Sequence, residues 1–353
     1  MKHRTHIAIV FVSLILVIPA RAQYQEPEEF KRLGQSSMTF LDIDVGARIV
    51  GMGGAYTCMD HDVTAMFGNP AGIAGIDGGA LCLNNTRWIA DINQYALAAA
   101  FGTPSLGTFG LSFMMFDNGR IERTIPTKDL ENHPEGFLVD GSYTVNQWVV
   151  GLAYARQITN KFSVGGQIKY CYEDLGPTDI VQPTFDDTTG FFSGYETVEG
   201  ADNIQGVFAL DFGTIYYFGF KDLRIGMSLR NFSEAVTYSF ESFNLPITYR
   251  IALAMNVLSL ISDMENHNLQ FTLATVSPYD GAERLQVGGE YTFADLISFR
   301  AGYKSNMDIG ALSAGFGLSP KAFGTLNLRL DYAYSEADQS IGDIHRFSVG
   351  FSF

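Results

Sequence analysis

The residues able to do chemistry are few, and their spacing narrows them further. Gly51-Met52-Gly53-Gly54 opens a glycine-rich stretch that closes at Asn69-Pro70-Ala71-Gly72. Glycines beside a helix can cradle a phosphate. This run lacks the last glycine of a dinucleotide fingerprint, and no Gly-Lys-Ser/Thr follows it. The competing reading is backbone packed too closely for a side chain. His61 stands between Asp60 and Asp62, which hints at a metal, although a solvated turn accounts for the same residues. Cys58, Cys82 and Cys171 are odd in number and widely spaced, which suits buried thiols rather than a disulfide framework or a zinc site. His133, His267 and His345 are scattered, and Asp186-Asp187 lacks the further ligands of a calcium loop. Neither Gly-x-Ser-x-Gly nor His-Glu-x-x-His occurs. We therefore expect no catalytic residue, no cofactor site and no metal site, and no enzyme.

The elements that hold these residues point elsewhere. Lys2 and Arg4, an apolar run from Ile7 to Ile18 and Ala20-Arg21-Ala22 read as a cleaved signal over 1–22. Its removal takes Lys2, Arg4 and Arg21, so the formal charge moves from −15 to −18. An acidic chain outside the cytoplasm argues against nucleic acid and against nucleotide cofactors. At the other end, Phe347, Val349, Phe351 and Phe353 alternate with Arg346, Ser348, Gly350 and Ser352. That is one strand with one apolar face. A chain ending on an aromatic residue of such a strand resembles the terminal insertion signal of bacterial outer-membrane barrels, which assigns that role to Phe351 and Phe353.

The same dyad recurs through the chain. Ile297, Phe299, Ala301 and Tyr303 alternate with Ser298, Arg300, Gly302 and Lys304, and Leu328, Leu330, Tyr332 and Tyr334 with Arg329, Asp331, Ala333 and Ser335. The polar faces are rich in Gly, Ser and Thr with occasional Arg, as in a crowded or wet barrel interior. Aromatic residues gather at strand ends, as in interfacial girdles. The pattern predicts strands over 79–87, 93–102, 106–116, 144–157, 161–174, 203–218, 223–232, 246–258, 267–277, 283–293, 296–305, 309–318, 323–335 and 343–353. That is an even number, as bacterial single-chain barrels require. Connections alternate between a short set and a set with long members at 117–143, 175–202 and 233–245. The fold class is thus all-β, an antiparallel transmembrane barrel of about 14 strands. It occupies 79–353 and meets outer-membrane lipid, with both termini on the periplasmic side.

Residues 23–78 do not read as strands; they give an acidic lead and an apolar, glycine-rich segment with no core of its own. Asp60 or Asp62 caps a short helix that Asn69-Pro70 ends. This segment needs a surface to pack on, and a wide barrel offers its interior. Val45-Gly46-Ala47-Arg48, Gly51-Met52-Gly53-Gly54-Ala55, Asp62-Val63-Thr64-Ala65 and Asn69-Pro70-Ala71-Gly72 resemble the N-terminal signature of the PorV/PorQ family, and the Asn-Pro-Ala-Gly part resembles the wider FadL-like group. The resemblance implies a 14-stranded barrel with an N-terminal plug, or hatch, marked by Gly46, Arg48, Gly51, Gly53, Gly54, Asp62, Asn69, Pro70 and Gly72. Arg224, Arg230, Arg250, Arg300, Arg329 and Arg346 fall on lumen faces. They meet either the plug or water and the acidic residues Asp211, Glu290 and Asp331. It also implies a type IX secretion component that holds partner or cargo proteins at the cell surface. Phe137, Leu138, Phe185, Phe191, Phe192 and Tyr195 are apolar residues of the long loops that suit partner contact, or a lid packed loop on loop. The alternative is FadL-like transport of hydrophobic small molecules, with Gly107, Gly110 and Gly119 placed to kink a wall strand.

Overall fold

Alternation along each strand closes the wall. In the computed structural model the described residues are 34–353, except 128, 187, 239–240, 262–265, 308, 321–325 and 338–341. The signal expected over 1–22 lies outside them. In chain order the first strands are β1 (Gly78–Arg87), β2 (Asn93–Thr103) and β3 (Gly107–Asp117). A hairpin follows, β4 (Ile121–Pro126) and β5 (Phe137–Tyr143), and then β6 (Asn146–Thr159), β7 (Phe162–Phe185), β8 (Phe192–Tyr217) and β9 (Arg224–Ser233). A second hairpin is β10 (Val236–Tyr238) with β11 (Glu241–Phe243). The rest are β12 (Thr248–Asn256), β13 (His267–Pro278), β14 (Arg284–Phe293), β15 (Ile297–Lys304), β16 (Leu312–Leu318), β17 (Asn327–Ser335) and β18 (Ile344–Ser352). All but the two hairpins form one closed antiparallel barrel of 14 strands, sealed where β1 pairs with β18 from Ala80↔Ser352 to Arg87↔His345. Closure leaves no unpaired edge, as lipid demands.

Outward positions are apolar and open to the surroundings: Phe101, Phe109, Leu152, Phe208 and Phe299 are each more than half exposed. A belt of this size is a lipid-facing surface. Aromatic rings gather at both rims. Trp148 stacks on Tyr172 and Tyr332 meets Phe347 toward one end, while His267 meets Phe293 and Tyr216 meets Phe218 toward the other. No helix among the described residues is long and apolar enough to cross a membrane.

Strand limits follow the sequence pattern within a few residues except in the three long connections. The expected loop 175–202 is largely strand: the β7–β8 ladder continues past Asp174↔Ile204 to Phe185↔Phe192, with register shifts on the way. The hairpin rises roughly 35 Å above the wall at about 3.3 Å per residue. Likewise 117–143 contains the β4–β5 hairpin and 233–245 contains β10–β11. The kink expected in the third strand is absent. β3 pairs with β2 and β6 over its length without a register shift. Gly107, with φ +90°, begins the strand and Gly119 lies beyond it, so neither bends it.

Residues 36–77 fold as short turns inside this wall. They comprise 3-10 turns at Thr39–Asp42, Val63–Phe67 and Pro70–Ile73 and a single helical turn at Ala47–Gly51. Ser36 bridges Asn244 at the long-loop end, and the segment leaves at Gly78 on the short-turn end. Frequent Gly, together with Pro70, prevents longer helices. Pro70 does not end a helix; it starts the last turn, with Asn69 as its cap accepting from the Ala71 N–H at 3.1 Å. Asp62 caps the preceding turn by accepting from the Thr64 N–H at 2.9 Å.

Candidate functional site

Backbone of the inner segment touches backbone of the wall, and this explains its glycines. A Cβ on Gly302 of β15 would lie 1.9 Å from the Gly53 nitrogen. Gly53 itself has φ +64°, and its own Cβ would lie 2.7 Å from the Tyr303 nitrogen. Across the lumen a Cβ on Gly213 of β8 would meet the Asn69 side-chain oxygen at 1.7 Å. Asn69 also donates to the Thr57 carbonyl at 2.6 Å, so one amide joins two turns of the segment and seats them on β8. Gly46 caps the helical turn at φ +97°. Gly51 packs on Arg300 and Gly315, Gly54 beside Asp44 and Lys304, and Gly72 against Met59 and Ala65.

Beside these contacts lies a closed ionic ring. Arg48 donates to both oxygens of Glu290, at 2.9 and 2.6 Å, and to Asp62 at 2.8 Å. Asp62 also accepts from Arg329 at 2.8 Å. Arg329 donates to Asp331 at 2.6 Å, Arg300 donates to Asp331 at 2.7 Å, and Arg300 returns to Glu290. Three cations thus alternate with three carboxylates. Two ring members, Arg48 and Asp62, come from the inner segment; the other four come from β14, β15 and β17. Charge-assisted bonds of this kind are strong, and each buried charge has its counter-charge.

Of the remaining lumen arginines, three reach the segment by other means and Arg346 meets residues outside it. Arg230 donates to the Leu41 carbonyl at 3.2 Å and to the Tyr56 hydroxyl at 3.3 Å. Arg250 stacks over the Tyr56 ring at 4.9 Å and lies 3.5 Å from Asp44. Arg224 donates to the Cys58 carbonyl at 2.8 Å. Arg346 donates to the Ser335 hydroxyl at 3.2 Å and covers the Trp88 ring. Asp211, expected as an acidic neighbour of these arginines, instead accepts from Lys169 at 2.7 Å and from the Asn231 N–H at 2.7 Å. It sits where the β8–β9 register shifts and Asn231 takes φ 61°.

Sequence reasoning missed Asp44, which contacts Arg250 and Lys304. Lys304 was readable, because it lies on the polar face of its strand; Asp44 stands just before the Val45-Gly46 signature with no pattern of its own. Among the described residues no group of three or more His, Cys, Asp or Glu could hold a metal. The three cysteines are buried thiols.

The opposite flank of the lumen is apolar. Toward the long loops, Met38, Phe40, Leu41 and Val45 pack on Met114, Phe116, Val149 and Leu245. Toward the short turns, Val63, Ala65, Met66 and Ile73 pack on Ala98, Ala100, Ala153 and Ala155. Phe67 packs against both clusters and joins them.

Outside the lumen, Phe137 and Leu138 lie on β5, Phe185 ends β7 and Phe192 and Tyr195 lie on β8, with Phe191 in the turn between. Phe185 and Phe191 are exposed at the hairpin tip. In that turn Asp186 accepts from the Thr189 N–H, the Thr189 hydroxyl and the Thr188 N–H, and these bonds hold its carboxyl below the usual range. Phe351 lies on the outward face of β18, and Phe353 exchanges two backbone hydrogen bonds with Gly79, each 3.0 Å.

No protein-family model matches the chain, and no curated protein matches it. Solved structures do. The Pseudomonas putida toluene transporter TodX is similar over 87% of this chain and 96% of its own, at 12% identity and a TM-score of 0.54. A Pseudomonas aeruginosa FadL homologue is similar over 88% and 98%, at 10% identity and a TM-score of 0.53. At such identities the likeness is one of fold. The chain shares the fold of these proteins, a closed 14-stranded barrel, and is located in the bacterial outer membrane.

Proposed function

We propose that this barrel is an outer-membrane conduit for hydrophobic small molecules, with residues 36–77 as its movable plug. The observation that carries the reading is the apolar file joined by Phe67, along which the segment packs on the wall from the long-loop mouth toward the short-turn end, so that a shift of the segment opens an apolar-lined path. Two features support it. The described segment joins the wall by one β-bridge, Ser36↔Asn244, and otherwise by side chains and close contacts, so it can shift without opening a ladder. The unbroken pairing of β3 favours a route along the lumen over one through that part of the wall. The whole-length likeness to a toluene transporter agrees with this assignment, and nothing in the site calls for catalysis. This reading takes the place of the secretion role implied by the PorV/PorQ resemblance.

The test is toluene entry. Cells lacking the protein should take up dilute toluene several-fold more slowly than cells carrying it, and Phe67→Asp should reproduce the defect in a folded barrel, because burying a carboxylate in the apolar file blocks it. Equal uptake in all three strains removes the proposal.

The PorV-type reading, a barrel holding secretion partners or cargo, draws on one observation, the β7–β8 hairpin that projects beyond the wall with Phe185 and Phe191 at its tip. It requires secreted proteins to leave the cell surface when the tip is excised. Unchanged surface proteins after that excision exclude it.

A further inference from the structure

The lumen mouth holds a cavity that the hydrophobic route does not use. It measures about 300 Å³ and lies on the flank opposite the apolar file, between the inner segment, β12, β14, β15, β17, β18 and the loop after β15. Arg250, Arg284, Lys304 and Arg346 line it, against the carboxylates Asp42 and Asp44. Among the described residues, four cations face two anions, a surplus of two positive charges. Arg250 and Arg346 are 2% and 3% exposed, deep enough for an unmet charge to be costly. Among the described residues, Arg346 has no carboxylate partner, and its Nε makes no hydrogen bond. Arg250 likewise leaves Nε and Nη1 without acceptors. The buried N–H groups of a guanidinium in a site of net positive charge call for an anion, and the planar fork matches a carboxylate. The remaining lining is mixed: Thr39, Gln286, Asn306 and Ser335 are polar, while Ile43, Val50, Ile309 and Ile344, with Trp88 at one side, give an apolar patch.

We infer that this cavity binds a compact organic monoanion, a carboxylate on a short apolar body such as a single ring. The carboxylate sits between Arg346 and Arg250, and the body lies along Ile309 and Ile344. A space of about 300 Å³ holds roughly ten water-sized groups, enough for an aromatic acid. The inference deepens the conduit reading by naming a ligand class, and it rests on that reading for the ligand's route but not for its binding.

The experiment is titration calorimetry on the purified, detergent-solubilised full barrel with sodium benzoate at low salt. One equivalent should bind with Kd below about 1 mM. Benzyl alcohol, which keeps the ring and loses the charge, should bind at least about tenfold more weakly, and inorganic phosphate, which lacks the ring, likewise. Arg346→Gln should weaken benzoate about tenfold or more. Ile309→Glu, at the loop rim and outside every described ion pair, should do the same by placing a carboxylate in the cavity; it keeps the test valid if Arg346→Gln fails to fold, which heat-modified gel mobility reports. Absence of benzoate heat, equal binding of benzyl alcohol, equal or tighter binding of phosphate, or an undiminished affinity in the folded variants overturns the inference. Loss of benzoate binding with toluene uptake intact rejects this site alone. Benzoate binding with no effect of the protein on toluene uptake rejects the conduit alone.

Discussion

Replacing Asp62 with Asn tests whether the ionic ring is what seats the inner segment. Asp62 is buried, and its Oδ2 accepts from Arg48 and from Arg329, each at 2.8 Å. Its Oδ1 accepts from the Thr64 N–H. An asparagine in place must turn its NH2 either toward two guanidinium groups or toward a backbone N–H, and both arrangements set donor against donor. The ring then carries one unmatched positive charge. Removing one partner of a buried pair costs roughly 3–5 kcal/mol. Arg48 and Arg329 have side chains 22% and 29% exposed, so water offsets part of the loss. About 3 kcal/mol remains, a factor of roughly 150 in the population of the undocked segment. Hydrogen exchange on the folded barrel reads this directly. Amides of 46–68 should lose about two orders of magnitude of protection while β6 and β13 keep theirs. The double variant Asp62→Asn with Arg329→Gln restores neutrality and should recover at least about 1 kcal/mol of the loss. If the segment exchanges as slowly as before, or if the barrel strands lose protection equally, the ring does not seat the segment and the reasoning fails.

Three further predictions follow from single contacts. Gly302→Val puts a side chain where the Gly53 backbone lies and should cost about 3 kcal/mol of segment docking, seen as rapid proteolysis near residue 53 in an otherwise heat-modifiable barrel. Asn69→Ala removes both the cap on Ala71 and the bond to Thr57, and should lower protection of 69–73 by about 1–2 kcal/mol with no change in the outer strands. Deleting Phe353 removes both seam bonds to Gly79, at about 1 kcal/mol each, whereas Phe353→Ala keeps the backbone pair and loses only the ring. A lower folded fraction in both variants assigns the effect to insertion through the aromatic side chain; a defect confined to the deletion assigns it to the seam.

The wall was legible in the chain because one local rule governs it. Lipid outside and a filled lumen inside impose a period of two, and Arg300 or Arg329 declares its face from its neighbours alone. The pairings were not legible, because Arg48 meets Glu290 and Arg329 meets Asp62 across 242 and 267 residues, and the barrel register decides which meet. Beyond the membrane the rule lapses. The upper β7–β8 hairpin projects beyond the wall and carries Gly176, Pro177 and Pro183, so its sequence shows no dyad and reads as a loop. The glycines of β3 misled for a related reason. Gly110 makes room for the Met66 sulfur, 2.3 Å from where a Cβ would stand, rather than bending its strand.

The inner segment is covalently tied at Gly78 on the periplasmic rim, while its upstream end lies beside Asn244 near the outer rim. That arrangement gives emptying a direction. Traction from outside the cell straightens the segment but leaves its backbone threaded along the bore, since the tether lies at the far end. Retraction toward the periplasm draws the chain clear of the bore without cutting it. On the conduit reading proposed above, an agent that clears the bore works from the periplasmic side, and a molecule arriving from the medium only reshapes the passage.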